Sequence, residues 1–93
     1  MRNDDFEWDD AKAAANYARH GVTFAMASDV FDDQFAIIEL DDLRHDEDRY
    51  SVIGMVENYL LFVAYALRGD RVRIISARLA ESYERRQYHE KSR

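Results

Sequence analysis

The chain contains 93 residues, of which 47% are hydrophobic and 13% aromatic, enough for one compact core and too few for two. We therefore expect one domain over residues 1–93. The sequence has no cysteine, which excludes disulfides and thiolate metal sites. It has no apolar run of roughly 18 residues, and residues 1–10 are acidic where a signal peptide is basic and then apolar. These features predict a cytoplasmic protein with no membrane partner.

The net charge of −6 argues against a nucleic-acid partner, but the charge is unevenly distributed. Residues 1–48 contain 14 acidic and 4 basic side chains, whereas residues 49–93 contain 5 acidic and 9 basic ones. The second half is therefore basic enough to contact a phosphate backbone. The alternative is two solvated faces of opposite charge that bind nothing.

Two helices are predicted in the first third of the chain. Asp9 or Asp10 occupies an N-cap position before an alanine-rich segment, and Gly21 follows as a residue able to adopt the left-handed conformation that ends a helix. Thr23 then caps a second segment, whose apolar residues recur every three or four positions. The predicted elements are a short β-like segment over 6–8 and helices over roughly 10–20 and 24–31.

The apolar pattern becomes extended near Phe35. Three consecutive segments rich in Val, Ile, Tyr and Phe, with short connections, predict an antiparallel meander. From about Ala80 the pattern is helical again. The predicted fold class is α+β, with two N-terminal helices packed on an antiparallel β-sheet and a C-terminal helix. The predicted strands are 35–40, 50–56, 59–67 and 72–77, with an acidic loop over Asp41–Asp48 after the first.

Several arginines and tyrosines lie on and around the last strands of the predicted sheet. Guanidinium groups match phosphate oxygens, and tyrosine rings offer faces to unstacked bases, so this mixture favours single-stranded RNA. The alternative is that arginines at edges and turns only keep the sheet soluble. The residues concerned are Arg49, Arg68, Arg71, Arg73 and Arg78, with Tyr50, Tyr59 and Tyr65.

Arg78 is the preferred arginine of this set. In a regular strand it would lie on the opposite face from Arg73, so the two could not serve one site. Arg78 follows the last strand position, and no acidic residue lies within two positions of it. We therefore expect Arg78 to be exposed and able to reach a ligand.

The three histidines, His20, His45 and His89, lack the paired spacing of zinc sites, so we expect no metal. His20 is a candidate general acid or base, because imidazole exchanges protons near neutral pH. At a helix end beside Gly21, however, a histidine is more often a residue that only caps the helix.

Two groups of motifs stand out, one near each end of the chain. They are Phe6-Glu7-Trp8-Asp9, Lys12, Asn16 and His20-Gly21-Val22, then Ile74-Ile75-Ser76-Ala77-Arg78, Glu84-Arg85-Arg86 and Tyr88. Taken in this order, they resemble the BrnT toxin family. The resemblance implies a compact RelE-like fold and RNA cleavage without a cofactor. It also implies a BrnA-like ribbon-helix-helix antitoxin as partner, with promoter DNA bound only through the toxin–antitoxin complex.

The resemblance implies attack of a ribose 2′-hydroxyl on the neighbouring phosphate and inhibition of translation. Arg78 and Arg68 are then candidates for stabilising charge on the phosphate, and Lys12 and His20 for proton transfer or phosphate binding. An alternative from another class is a non-catalytic relative that only binds the antitoxin and tunes promoter repression. A third is a housekeeping domain with an incidental basic face. The candidate RNA-binding residues are Arg49, Tyr50, Tyr65 and Arg73.

Overall fold

The computed structural model describes residues 2–42 and 48–91. Most of the acidic loop predicted over Asp41–Asp48, with His45, lies outside these ranges. Within them, no helix is both long enough and apolar enough to cross a bilayer.

The described chain contains five strands, three α-helices and one 3₁₀ turn. The helices begin, and the last three strands begin and end, within two residues of their predicted positions. The first long strand is shifted as a whole by two residues, from the predicted 35–40 to 37–42. The second predicted helix is divided, because its last turn is a 3₁₀ helix. The elements are β1 (Phe6–Glu7), α1 (Asp10–His20), α2 (Phe24–Ser28), the 3₁₀ helix (Asp29–Asp32), β2 (Ile37–Asp42), β3 (Arg49–Val56), β4 (Tyr59–Arg68), β5 (Arg71–Leu79) and α3 (Ser82–Lys91).

The strands form one mixed sheet in the order β1-β5-β4-β3-β2. Strands β2 to β5 are antiparallel neighbours, which confirms the predicted meander. The prediction of a wholly antiparallel sheet is wrong, because β1 pairs in parallel with β5. The chain passes through both N-terminal helices and three strands before β5, and this long connection allows the parallel pairing.

Helix α1 begins and ends at the predicted caps. The Asp9 carboxylate accepts hydrogen bonds from the backbone N–H groups of Ala11, at 2.8 Å, and Lys12, at 3.1 Å. The N–H groups of Lys12 and Ala11 hold the pKa of Asp9 below its usual value. At the other end, Gly21 adopts φ 71° and donates its N–H to the carbonyl of Tyr17.

The two N-terminal helices and the 3₁₀ turn cover one face of the sheet, called here the first face. Helices α1 and α2 pack against β5, and the 3₁₀ turn packs against β3. Their contacts with the sheet form the main hydrophobic core. Its buried residues include Phe24, Ala27 and Val30 from the helices and Val52, Leu61, Val63, Tyr65, Ile74 and Ala77 from the strands.

Helix α3 packs against part of the opposite face, called here the second face. Tyr88 joins a smaller core cluster with Ile53 and Leu60. The Tyr88 hydroxyl donates a 2.6 Å hydrogen bond to the Asp33 carboxylate, which also accepts the Met55 N–H at 2.8 Å. Burial favours a higher pKa for Asp33, but these donors outweigh it and lower the pKa. One carboxylate thus ties α3 to β3.

Gly54 marks the closest approach of the sheet to the 3₁₀ turn. A Cβ atom at this position would lie 2.6 Å from Val30 Cγ2 and 3.3 Å from Ala36 Cβ. We predict that Gly54→Ala lowers the free energy of unfolding by about 1–3 kcal/mol, because the added methyl overpacks the core. Urea unfolding at pH 7 measures the change.

A second variant attributes that loss to Val30. Val30→Ala removes the crowding methyl, so the double variant Val30→Ala/Gly54→Ala should be more stable than the sum of the two single losses predicts. Strict additivity would contradict the contact as the cause.

Candidate nucleic-acid interface

A buried asparagine fixes helix α1 to the outer edge of β5. Strand β1 pairs only with Val72 and Arg73, so it does not cover the rest of that edge. The Asn16 amide nitrogen donates to the Ala77 carbonyl at 2.9 Å, and its carbonyl oxygen accepts the Ala77 N–H at 3.1 Å. The same nitrogen donates to the Val22 carbonyl at 3.1 Å. The amide therefore pairs with Ala77 much as a neighbouring strand would.

This attachment forms a groove between α1 and β5. Lys12 lies one turn before Asn16, and Arg19 and His20 lie one turn after it, so all three follow the face of the helix that meets the strand. Together with Ile75 and Ser76 of β5, these side chains line a groove of about 240 Å³. The groove brings two cations, one imidazole and one hydroxyl together at the edge of the sheet.

A β-bulge in β5 decides which side chains reach the second face. Ala64 and Tyr65 are consecutive in β4, and they pair with Ser76 and Ile74 of β5. Ile75 is therefore an extra residue without a partner in β4. Arg73 and Arg78 therefore lie on the same face. The prediction that they lie on opposite faces is wrong, because it assumed a regular strand.

Arg49 and Arg73 lie in one row across the second face, with the buried Ala66 between them. The Arg73 guanidinium lies 3.7 Å from the Glu7 carboxylate on the neighbouring strand. The Nε atom of Arg49 is buried and has no hydrogen-bond partner within residues 2–42 and 48–91. The two arginines thus flank one small buried side chain on the second face.

Arg78 is held in an ion pair. Its guanidinium nitrogens donate to both Glu84 carboxylate oxygens, at 2.8 and 3.0 Å, and Glu84 is only 1% exposed. The guanidinium also lies 4.4 Å from the centre of the Phe62 ring. The expectation of an exposed, unpaired arginine is therefore wrong. The acidic partners, Glu81 and Glu84, stand three and six positions along the chain, beyond the two positions considered.

Glu84 also receives the N–H of Glu81 at 2.8 Å, an arrangement typical of the N-terminus of a helix. Burial favours a higher pKa for Glu84, but the hydrogen bonds from Arg78 and Glu81 outweigh it and lower the pKa below 4.5. The pair thus holds the start of α3 against the end of β5.

Tyr50 and Tyr65 pair on the first face of the sheet, at the main hydrophobic core. Tyr65 is 4% exposed and stacks on Tyr50 at 5.5 Å between ring centres, with Phe31 edge-on at 5.0 Å. Burial raises the pKa of its hydroxyl. The ring of the predicted RNA-binding residue Tyr65 thus belongs to the core.

Of the four predicted catalytic residues, the structure brings Lys12 and His20 together in the groove. Arg68 is exposed at the turn between β4 and β5, at the other end of the strand from Arg78. Sequence reasoning missed Arg19 as a groove residue and assigned Ser76 no role. The helical spacing of positions 12, 16, 19 and 20 was the available signal for Arg19.

Breaking the Arg78–Glu84 pair is expected to destabilise the fold. Arg78→Ala leaves the buried Glu84 carboxylate without its cation, so we predict a loss of roughly 3 kcal/mol at pH 7. Arg68→Ala, at an exposed arginine, should change stability by only about 0.5 kcal/mol. Thermal and urea unfolding of the two variants provide the comparison, and equal stability would show that the pair contributes little.

The same pair predicts a pH dependence. Because the pKa of Glu84 is lowered in the folded state, its ionised form stabilises the fold above about 4.5, and this contribution disappears as pH falls through the folded pKa. The stability difference between the parent protein and Arg78→Ala should therefore shrink below pH 4.5. A difference that stays constant from pH 7 to pH 3 would contradict this assignment.

Comparison with known proteins places these features in a family. The family model of the ribonuclease toxin BrnT, of a type II toxin–antitoxin system, matches residues 8–84. The match includes Asn16, the groove, the bulge and Glu84. No curated protein matches the chain. The chain belongs to the BrnT family of ribonuclease toxins of type II toxin–antitoxin systems.

Proposed function

We propose that the protein is a RelE-like, metal-independent endoribonuclease whose reacting phosphate binds in the groove between α1 and β5. The observation that carries the proposal is the convergence of Lys12, Arg19, His20 and Ser76 beside the Asn16 attachment. Inhibition of translation through RNA cleavage is the cellular outcome that we propose.

The proposed reaction is an internal transesterification. The ribose 2′-oxygen attacks the adjacent phosphorus, and the bond from phosphorus to the 5′-oxygen of the next nucleotide breaks. The attacking hydroxyl loses a proton and the leaving oxygen gains one, so the products are a 2′,3′-cyclic phosphate and a 5′-hydroxyl. The protein must stabilise charge on the phosphate oxygens and assist these two proton transfers.

Lys12 and Arg19 are suited to the first task. Both are exposed, and no ion pair of the described residues involves either of them. Cations positioned where charge develops are among the largest contributions to catalysis. Arg73, on the same strand and face as Ser76, and Arg49, across the sheet, would contact flanking phosphates.

His20 is suited to the second task, because imidazole can accept the proton of the 2′-hydroxyl or donate one to the leaving oxygen. The Ser76 hydroxyl lines the same groove and can hydrogen-bond a phosphate oxygen. Arg78 has a different proposed role. Because its guanidinium is already paired with Glu84, we assign it to positioning α3.

We predict that Lys12→Ala and His20→Ala each lower the rate of RNA cleavage by about a hundredfold or more, with little change in melting temperature. Arg68→Ala and His89→Ala are the matched controls, because both side chains are exposed and lie outside the groove. The assay uses the purified protein and an RNA oligonucleotide, with the cyclic phosphate product identified by mass.

Two further experiments test the proposed reaction and its independence of metal ions. A single 2′-deoxy substitution at the cleaved position should abolish cleavage, and a chelator should leave it unchanged. Loss of activity with a chelator and its recovery with a divalent metal would contradict metal independence. A folded protein that binds its antitoxin but cleaves no RNA would instead favour the non-catalytic function in promoter repression.

We also propose that a BrnA-like ribbon-helix-helix antitoxin docks on the acidic half and that promoter DNA is bound only through this complex. Support comes from three exposed apolar side chains at the β2 edge of the sheet: Phe35 at 51%, Ile38 at 55% and Leu40 at 48%. They lie in the half of the chain with a net charge of −10. An antitoxin that also contacts DNA needs a basic surface, which complements this charge.

Ile38→Arg adds a charge of the same sign as the partner, so we predict that it weakens antitoxin binding by at least about tenfold. Leu67→Arg, at a leucine of similar exposure on β4, should have little effect. For the parent protein, raising the salt concentration should slow association more than it speeds dissociation. Surface plasmon resonance measures both rates, and association rates independent of salt would contradict the electrostatic contribution.

A further inference from the structure

A second depression lies on the other side of His20 from the groove. It has a volume of about 230 Å³ and is lined by His20, Gly21, Val22, Met26, Tyr59 and Leu79. Most of these side chains are apolar, in contrast to the cationic groove. Two of them are unusually accessible, because Tyr59 is 50% exposed and Leu79 is 47% exposed.

The depression results from the way in which the helices end on the first face. Gly21 turns the chain in the left-handed conformation, and Thr23 then starts the short helix α2. Tyr59 and Leu79 lie at the end of the sheet that these elements leave uncovered. Together they form an exposed apolar surface beside the depression, a feature typical of ligand-binding grooves.

We propose that this depression, called here the base pocket, binds one unstacked nucleobase next to the cleaved phosphodiester. This inference rests on the proposed function. His20 lines both the groove and the base pocket, so only one side chain separates the two. A nucleotide whose phosphate lies in the groove would therefore place its base within reach of the Tyr59 ring.

The lining also indicates how the base would be selected. Tyr59 offers a ring for stacking, and Met26 and Leu79 offer apolar contacts. The side chains that can form hydrogen bonds are those of His20 and Tyr59, too few to read a full base edge. Recognition should then depend on stacking area, so purines should be preferred over pyrimidines.

The test compares cleavage of RNA oligonucleotides that carry each of the four bases beside the scissile phosphate. Tyr59→Ala should lower kcat/KM for the purine substrates roughly tenfold to a hundredfold and abolish the preference for purines. Tyr59→Phe, which keeps the ring, should retain both. Tyr17→Ala is the matched control, because Tyr17 is similarly exposed, at 56%, and its side chain lies outside the groove and the base pocket. An unchanged base preference in Tyr59→Ala would overturn the proposal.

A binding experiment separates this inference from the proposed function. A 2′-deoxy dinucleotide cannot be cleaved by the proposed reaction, so its binding is independent of activity. NMR titration with a purine dinucleotide should shift the amide signals of Gly21, Val22 and Leu79, and an abasic analogue should not. These shifts in a protein that cleaves no RNA would support the base pocket while refuting the proposed nuclease.

Met26→Trp fills the base pocket and tests whether the antitoxin, rather than a nucleobase, occupies it. We expect it to weaken dinucleotide binding and leave antitoxin affinity unchanged. Loss of antitoxin binding with dinucleotide binding intact would overturn the proposal, because the pocket would then hold an apolar side chain of the antitoxin.

Discussion

The buried amide of Asn16 is the interaction on which the arrangement of this domain depends. Strand β1 is only two residues long, so most of the outer edge of β5 has no strand beside it. A helix laid over that edge would bury backbone groups without partners, which is costly. Asn16 satisfies both backbone groups of Ala77 and the carbonyl of Val22. It thereby sets the rotation of α1 about its axis and determines which cationic side chains of α1 lie along β5.

The acidic composition of the chain is compatible with RNA binding because several carboxylates serve the fold. Asp9 caps α1, Asp33 joins β3 to α3, and Glu84 pairs with Arg78 at the start of α3. Each carboxylate is surrounded by N–H or O–H donors that lower its pKa. The cations of the groove, in contrast, belong to no ion pair of the described residues. The net charge of the chain therefore does not describe the groove, where Lys12 and Arg19 are the charged side chains.

The features that could be predicted from the sequence are those set by neighbouring residues. Asp9, Gly21 and Thr23 act within one helical turn, so the helix ends were predictable, and so were the short connections of the meander. The site depended on distant contacts. Asn16 and Ala77 are 61 positions apart, and nothing local indicates that they meet. Arg78 was misread because its partner belongs to the next helix, and Arg73 because a bulge has no reliable signature in one sequence.

The bulge at Ile75 determines on which face of the sheet each later residue of β5 lies. A strand side chain changes face with every residue, and Ile75 is the residue that brings Arg73, Ser76 and Arg78 to one side. If β5 paired with β4 as a regular strand without the bulge, everything after Ile75 would be inverted, with Ala77 directed away from the core and Arg78 into it. Deleting Ile75 would instead leave a regular strand in which every later residue keeps its present face. Substitutions at the same positions would alter single contacts only. For relatives of this chain, a one-residue alignment gap between positions 73 and 78 is thus the expected mark of a strand that lacks the bulge and keeps the same architecture.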